Sequence, residues 1–155
     1  MQPRDLLATA KVLLKASSKK PSQANLRRAV STAYYAVFHH LARTSADLLI
    51  GGKKSGSTNR AWRQVYRALD HKPAANACID GTLTLFPKGI QDFADAFTTL
   101  QKKRHNADYD PFVIFTKSGV QQDIATAGAA MAAFDAESAR DRRAFCAFVL
   151  FKKRP

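Results

Sequence analysis

The sequence predicts an all-α fold. Apolar residues recur at three- and four-residue intervals along most of the chain, and no period-two alternation competes with them. The periodic stretches are separated by Gly, Pro and Ser clusters of the kind that end helices. Nothing suggests an internal repeat or a second domain, so residues 1–155 are expected to fold as one domain around one core.

Pro3 suits the first turn of an opening helix in which Leu6, Leu7, Ala10, Leu13 and Leu14 face inward while Arg4, Lys11 and Lys15 face water. Residues 17–21 interrupt it, and Ser22 is placed to cap the second helix. That helix has the clearest pattern. Leu26, Val30, Ala33, Val37 and Leu41 share a stripe, and it should run to about Leu49, where Gly51 and Gly52 end it. Residues 51–57 read as a basic, flexible loop. They lack the Gly-x-x-x-x-Gly-Lys-[Ser/Thr] spacing of a nucleotide loop and follow a helix rather than a strand, so contact with an RNA backbone is the better reading. A third helix, at 58–69, turns Trp62, Val65, Tyr66 and Leu69 inward, and 71–85 reads as a loop with about one helical turn. The fourth helix starts near Pro87, buries Ile90, Phe93, Ala94, Phe97 and Leu100, and ends near His105, with 108–111 as the stop. From Ser118 an alanine-rich helix carries Ile124, Ala127, Met131 and Phe134, breaks near Ser138 and resumes through Phe145, Phe148 and Val149. Lys152, Lys153 and Arg154 form a solvated basic tail.

Charge narrows the function. The chain has 25 Lys+Arg against 12 Asp+Glu, a net +13, and such a field draws in polyanions. Nucleic acid is the first class of partner this implies and an acidic protein the second. No segment approaches the ~18 consecutive apolar residues of a membrane span, and Lys11 and Lys15 interrupt the N-terminal stretch in a way a signal peptide does not tolerate. Cys78 and Cys146, the only cysteines, sit in no Cys-x-x-Cys pair. A disulfide framework and a structural zinc site are therefore not expected, and the setting should be reducing and cytoplasmic. Of His39, His40, His71 and His105, only the first two are close in sequence, and being adjacent they point apart, so neither a metal site nor a cofactor is expected.

Two segments carry possible chemistry. In the second helix, Arg28, Thr32, Tyr35 and His39 fall close to one line. Arg can fork a phosphate, Tyr can stack a base and His can move a proton near neutral pH. Equally, Tyr34 and Tyr35 can simply bridge core and surface with satisfied hydroxyls, and His40 can fill a half-buried gap. The second segment, 102–111, offers Lys103, Arg104, His105, Asn106, Asp108 and Tyr109. Cations at a helix C-terminus are expected on dipole grounds alone. Asp108 can also orient the Arg104 guanidinium, or the two can be only a structural ion pair.

Taken together, Arg28 through Ala33-Tyr34-Tyr35-Ala36-Val37-Phe38-His39, followed later by Arg104-His105-Asn106-Ala107-Asp108-Tyr109, resemble the HEPN family, in particular its compact prokaryotic branch. The resemblance covers nearly the whole chain, with 51–85 the least recognisable part. It implies an up-and-down bundle of about four to five helices that forms a homodimer across its polar helices. It further implies either a metal-independent ribonuclease of a toxin–antitoxin or defence system, or a catalytically silent module that accompanies a nucleotidyltransferase or antitoxin. On the first view Arg104 stabilises the charged phosphorane, His105 or Tyr109 handles protons, and Arg28, Tyr35, His39, Lys103, Asn106 and Asp108 line an RNA-binding groove. The chain departs from the family's Arg-then-His spacing, because Tyr109, Asp110 and Pro111 occupy the places where the histidine should stand, and Arg67 and His71 lie one residue too close.

Overall fold

The computed structural model describes residues 2–16, 20–52 and 56–154. These form helices α1 (Pro3–Lys15), α2 (Gln23–Leu49), α3 (Gly56–Ala68), α4 (His71–Cys78), α5 (Lys88–Tyr109), α6 (Lys117–Ala136) and α7 (Ala139–Leu150), with a 3₁₀ segment at Gly81–Leu85 and, among the described residues, no strand. The fold is all-helical, as the periodicity predicts, but the described residues form seven α-helices where four to five were expected. The central residues of the basic 51–57 loop, and most of the first interhelical break, lie outside the described residues.

The excess comes mainly from 71–85, which is not a loop. Its inward-facing residues in α4 are Ala74 and Cys78, too small to give a strong helical period, yet both are buried. Asp70 stands at its N-cap, and Pro73 falls in the first turn, where its missing N–H costs nothing. Asp80 Oδ1 then accepts from Thr82 N at 2.8 Å and opens the 3₁₀ segment. The break expected near Ser138 is real: the Ser138 hydroxyl accepts from Asp141 N at 3.1 Å and so caps α7.

α2 is the central helix. It begins where Ser22 Oγ accepts from Asn25 N at 3.1 Å, and ends in Gly51, whose φ of 92° suits glycine. It packs against α1, α3, α5, α6 and α7, while α5 also meets α4 and α6. The core is rich in aromatics. Phe93, Phe97, Phe134 and Phe145 are fully buried, and the Phe93 and Phe134 centroids are 4.5 Å apart. Gly89 allows α5 to approach the end of α6, since a Cβ there would lie 2.6 Å from the Ala133 carbonyl.

α5 also runs one turn beyond its expected end at His105, to Tyr109. The cause is Arg27 on α2. Its Nη1 donates to the carbonyls of Ala107 at 3.0 Å and Asp110 at 2.8 Å, and its Nη2 to those of Pro111 at 3.3 Å and Val113 at 2.5 Å. A fixed cation thus sits at the negative end of the helix, where it ties the Ala107 carbonyl to those of the C-cap and the loop that follows. Gln23 completes the hold on the following loop: Nε2 donates to Phe115 O at 2.7 Å, and Oε1 accepts from Phe115 N at 3.0 Å.

Replacing Arg27 with Met should lower unfolding free energy by about 3 kcal/mol, because several carbonyls lose a charged donor together. Arg27→Lys should recover little, since an ammonium cannot span the fork. Urea denaturation measures both. A loss below about 0.5 kcal/mol for the Met variant, the usual size of a surface change, would refute the clamp.

Candidate functional site

The extra turn of α5 sets the phase of the residues it carries. Arg104 and Asp108 lie one turn apart on the same side. Asp108 Oδ1 accepts from Ser31 Oγ on α2 at 2.6 Å, while its Oδ2 is 3.4 Å from Arg104 Nη1. The guanidinium lies over the rings of Tyr34 and Tyr35, 5.3 and 5.9 Å from their centroids. The Arg104 side chain is only 14 % exposed, and its Nε is buried with no hydrogen-bond partner. A guanidinium taken this far out of water and given one long contact carries an unmet electrostatic demand, which an anion would satisfy.

Tyr34 is fully buried, and its hydroxyl shares a 2.7 Å hydrogen bond with Nδ1 of His71, the first residue of α4. The His71 ring stacks on Phe38 at 4.1 Å, and its carbonyl accepts from Gln101 Nε2 of α5 at 2.9 Å. Tyr35 stands edge-on to His71, with centroids 6.0 Å apart, and its ring lies 6.2 Å from that of His39. His39 Nδ1 in turn shares a 2.7 Å hydrogen bond with the Tyr66 hydroxyl of α3. Arg104, Tyr35, His39 and His71 therefore form one half-buried cluster built from α2, α4 and α5 and backed by α3.

Burial holds the His71 imidazole below its ordinary range; the nearby Arg104 charge lowers it further, and Asp70 partly offsets this. His39 is lowered by burial first and then by His71 and the N-terminal charge. Burial pushes the Tyr34 phenol well up, against the pull of Arg104. Near neutral pH the cluster is thus a permanent cation flanked by neutral imidazoles and a neutral phenol. Such a group can hold a phosphate, stack a base and exchange a proton.

The residues singled out from the sequence divide sharply. Tyr35, His39, Arg104 and Asp108 come together. Arg28 is exposed and makes no contact with them; its carbonyl accepts from the buried Thr32 hydroxyl at 2.7 Å. Lys103 is turned toward α6, where it pairs with buried Asp123 at 2.5 Å. Asn106 is half-buried, and its carbonyl is within the Arg27 clamp at 3.5 Å. His105 projects away from the Arg104 side chain, as neighbours on a continuous helix must. It is exposed, at the rim of a shallow groove between α4 and α5 that Arg104, Gln101 and Ile79 also line. Tyr109 is 69 % exposed and touches His105, centroids 5.0 Å apart, rather than Arg104. His71 is the residue that sequence reasoning missed as a partner for Arg104. Its approach depends on α4, and nothing in its local sequence signals it.

Other reactive groups are accounted for structurally. His40 Nε2 lies 2.7 Å from Asp135 Oδ1, between α2 and α6. Cys78 and Cys146 are free and buried, and burial pushes the Cys78 thiol up to about 12. Among the described residues, no three His, Cys, Asp or Glu side chains converge as a metal site requires, and no helix is long and apolar enough to cross a membrane. No family model, curated protein or solved structure matches the chain.

The two lowered histidines should make stability depend on pH. Above the unfolded value of about 6.5 neither state binds the proton, so their contribution is fully present. As pH falls below about 6.5 the unfolded chain takes up protons first, and the contribution is lost progressively toward the folded values. Urea midpoints at about pH 7.5 and 5 should therefore fall further for the wild type than for His39→Gln/His71→Gln. Equal falls would remove the imidazoles as the cause.

Proposed function

We propose that this protein is a HEPN-like RNA-binding domain in which Arg104 holds an RNA phosphate and Tyr35 stacks a base. The observation that carries this reading is the under-satisfied guanidinium of Arg104 set against Tyr35, His39 and His71. A net charge of +13 supplies the long-range attraction. The all-helical architecture is compatible with the family that the two sequence segments resemble.

The same groups suit metal-independent cleavage by a homodimer of a toxin–antitoxin or defence system. The ribose 2′-oxygen attacks phosphorus as its proton passes to an imidazole, the P–O5′ bond breaks, the imidazole returns the proton to the departing 5′-oxygen, and a 2′,3′-cyclic phosphate remains. Arg104 stabilises the phosphorane. His71, from α4, takes the part of the histidine that α5 lacks: its Nδ1 shares the hydrogen bond with the Tyr34 hydroxyl, and in the tautomer that carries the proton on Nδ1 its Nε2 keeps a lone pair for the incoming proton.

Wild type, Arg104→Ala and His71→Ala should be incubated with tRNA and total RNA in EDTA. Arg104→Ala should bind about ten- to a hundredfold more weakly, the loss of one charge-assisted contact, with an unchanged fold. His71→Ala should keep binding and lose about a hundredfold or more in cleavage. Binding without cleavage by the wild type would leave a silent RNA-binding domain, and no retention of RNA at low salt would defeat the reading.

One observation favours a partner protein as well. Phe112, at 88 % exposure, and Ile114, at 72 %, stand out from the loop that Arg27 and Gln23 hold in place. Exposed apolar side chains on an ordered loop suit an interface, as a module that accompanies a nucleotidyltransferase or antitoxin would need. Phe112→Ser/Ile114→Ser should then abolish co-purification with the product of a neighbouring nucleotidyltransferase or antitoxin gene while leaving RNA affinity unchanged. Undiminished co-purification would remove this surface.

A further inference from the structure

The outward face of α3 carries a row of arginines. Arg60, Arg63 and Arg67 follow one another at intervals of three and four residues, which places them along one side of the helix over about 10 Å. Trp62, Val65 and Tyr66 occupy the opposite, inward side. All three arginines are exposed and line a single open trough with Asn59 and Gln64. α3 contains no Asp or Glu, and no acidic side chain pairs with any of the three among the described residues. In the same trough, Asn59 Oδ1 is buried without a hydrogen-bond partner.

We propose that this face is a track for the sugar-phosphate backbone of single-stranded RNA, leading to the Arg104 cluster; it rests on the RNA reading above. The two sites are joined by the chain itself. Tyr66, beside Arg67, bonds His39, and His71 begins the next helix four residues after Arg67. The chemistry of the trough selects the ligand. Guanidinium forks match phosphate oxygens, and no acid on α3 competes for them. The face has no apolar anchor for a protein interface and no hydrophobic edge for a membrane surface.

Fluorescence anisotropy of labelled oligouridylate across a salt series tests this. Arg60→Gln/Arg63→Gln/Arg67→Gln should bind at least about tenfold more weakly at low salt, and its slope of log affinity against log salt should be shallower by about 2, three phosphate contacts at ~0.7 each. A control, Arg4→Gln/Lys11→Gln/Lys15→Gln, removes the same charge from α1 and should leave the slope as in the wild type. Equal losses in both triple variants would mean net charge alone and overturn the track. So would wild-type affinity and slope in the α3 variant while Arg104→Ala still impairs binding, an outcome that leaves the RNA reading standing. Failure of the wild type to bind at low salt would remove both.

Discussion

Arg27 reaches from α2 to the end of α5 and spreads one planar cation over the backbone carbonyls of Ala107, Asp110 and Val113. The Ala107 carbonyl lies at the negative pole of a 22-residue helix and the others in the cap and loop that follow it, and leaving them unpaired in a half-buried position would be costly. The clamp keeps residues 106–109 helical. It therefore keeps Asp108 in phase with Arg104, within reach of both that guanidinium and the Ser31 hydroxyl. Had α5 frayed after His105, Asp108 would leave that face and His105 would be free to swing toward the cluster. The register of the candidate site is thus decided by a residue outside it.

α2 does two jobs along its length. One stripe of small and branched apolar side chains packs against its neighbours, which is why α1, α5, α6 and α7 can all contact it. The adjacent stripe supplies Ser31, Tyr34, Tyr35 and His39. Both stripes are largely covered, so the polar one must find partners within the protein: Asp108, His71, Arg104 and Tyr66. Covering it also lowers the affinity of both imidazoles for protons. The network is well satisfied except at Arg104, whose aromatic neighbours provide polarisable faces but no acceptors.

The acidic residues explain where the surplus positive charge is displayed. Of the 12 acidic residues, Asp108 and Asp123 hold α5, Asp135 meets His40, Asp47 accepts from Trp62, Glu137 accepts from the Gly89 N–H, and Asp141 accepts from the Ser138 hydroxyl. With 25 Lys+Arg against 12 Asp+Glu, the acids cannot neutralise all the exposed cations. The arginines of α3, on a helix with no acid of its own, therefore present their charge to solvent undiluted.

Local sequence determined the helical class, the long second helix with its serine cap and glycine stop, and the break at Ser138, because periodicity and capping involve residues only a few positions apart. It also marked Tyr35, His39, Arg104 and Asp108, since residues three or four apart on a helix share a face whatever packs against it. The tertiary structure alone decided the rest. Helix α4 is held by small buried side chains whose pattern is faint until their neighbours are in place. Arg27 rather than Arg28 is engaged, because only Arg27 faces the end of α5. His71 meets the Arg104 cluster through packing of α4 on α5, a contact between distant segments that no local spacing encodes.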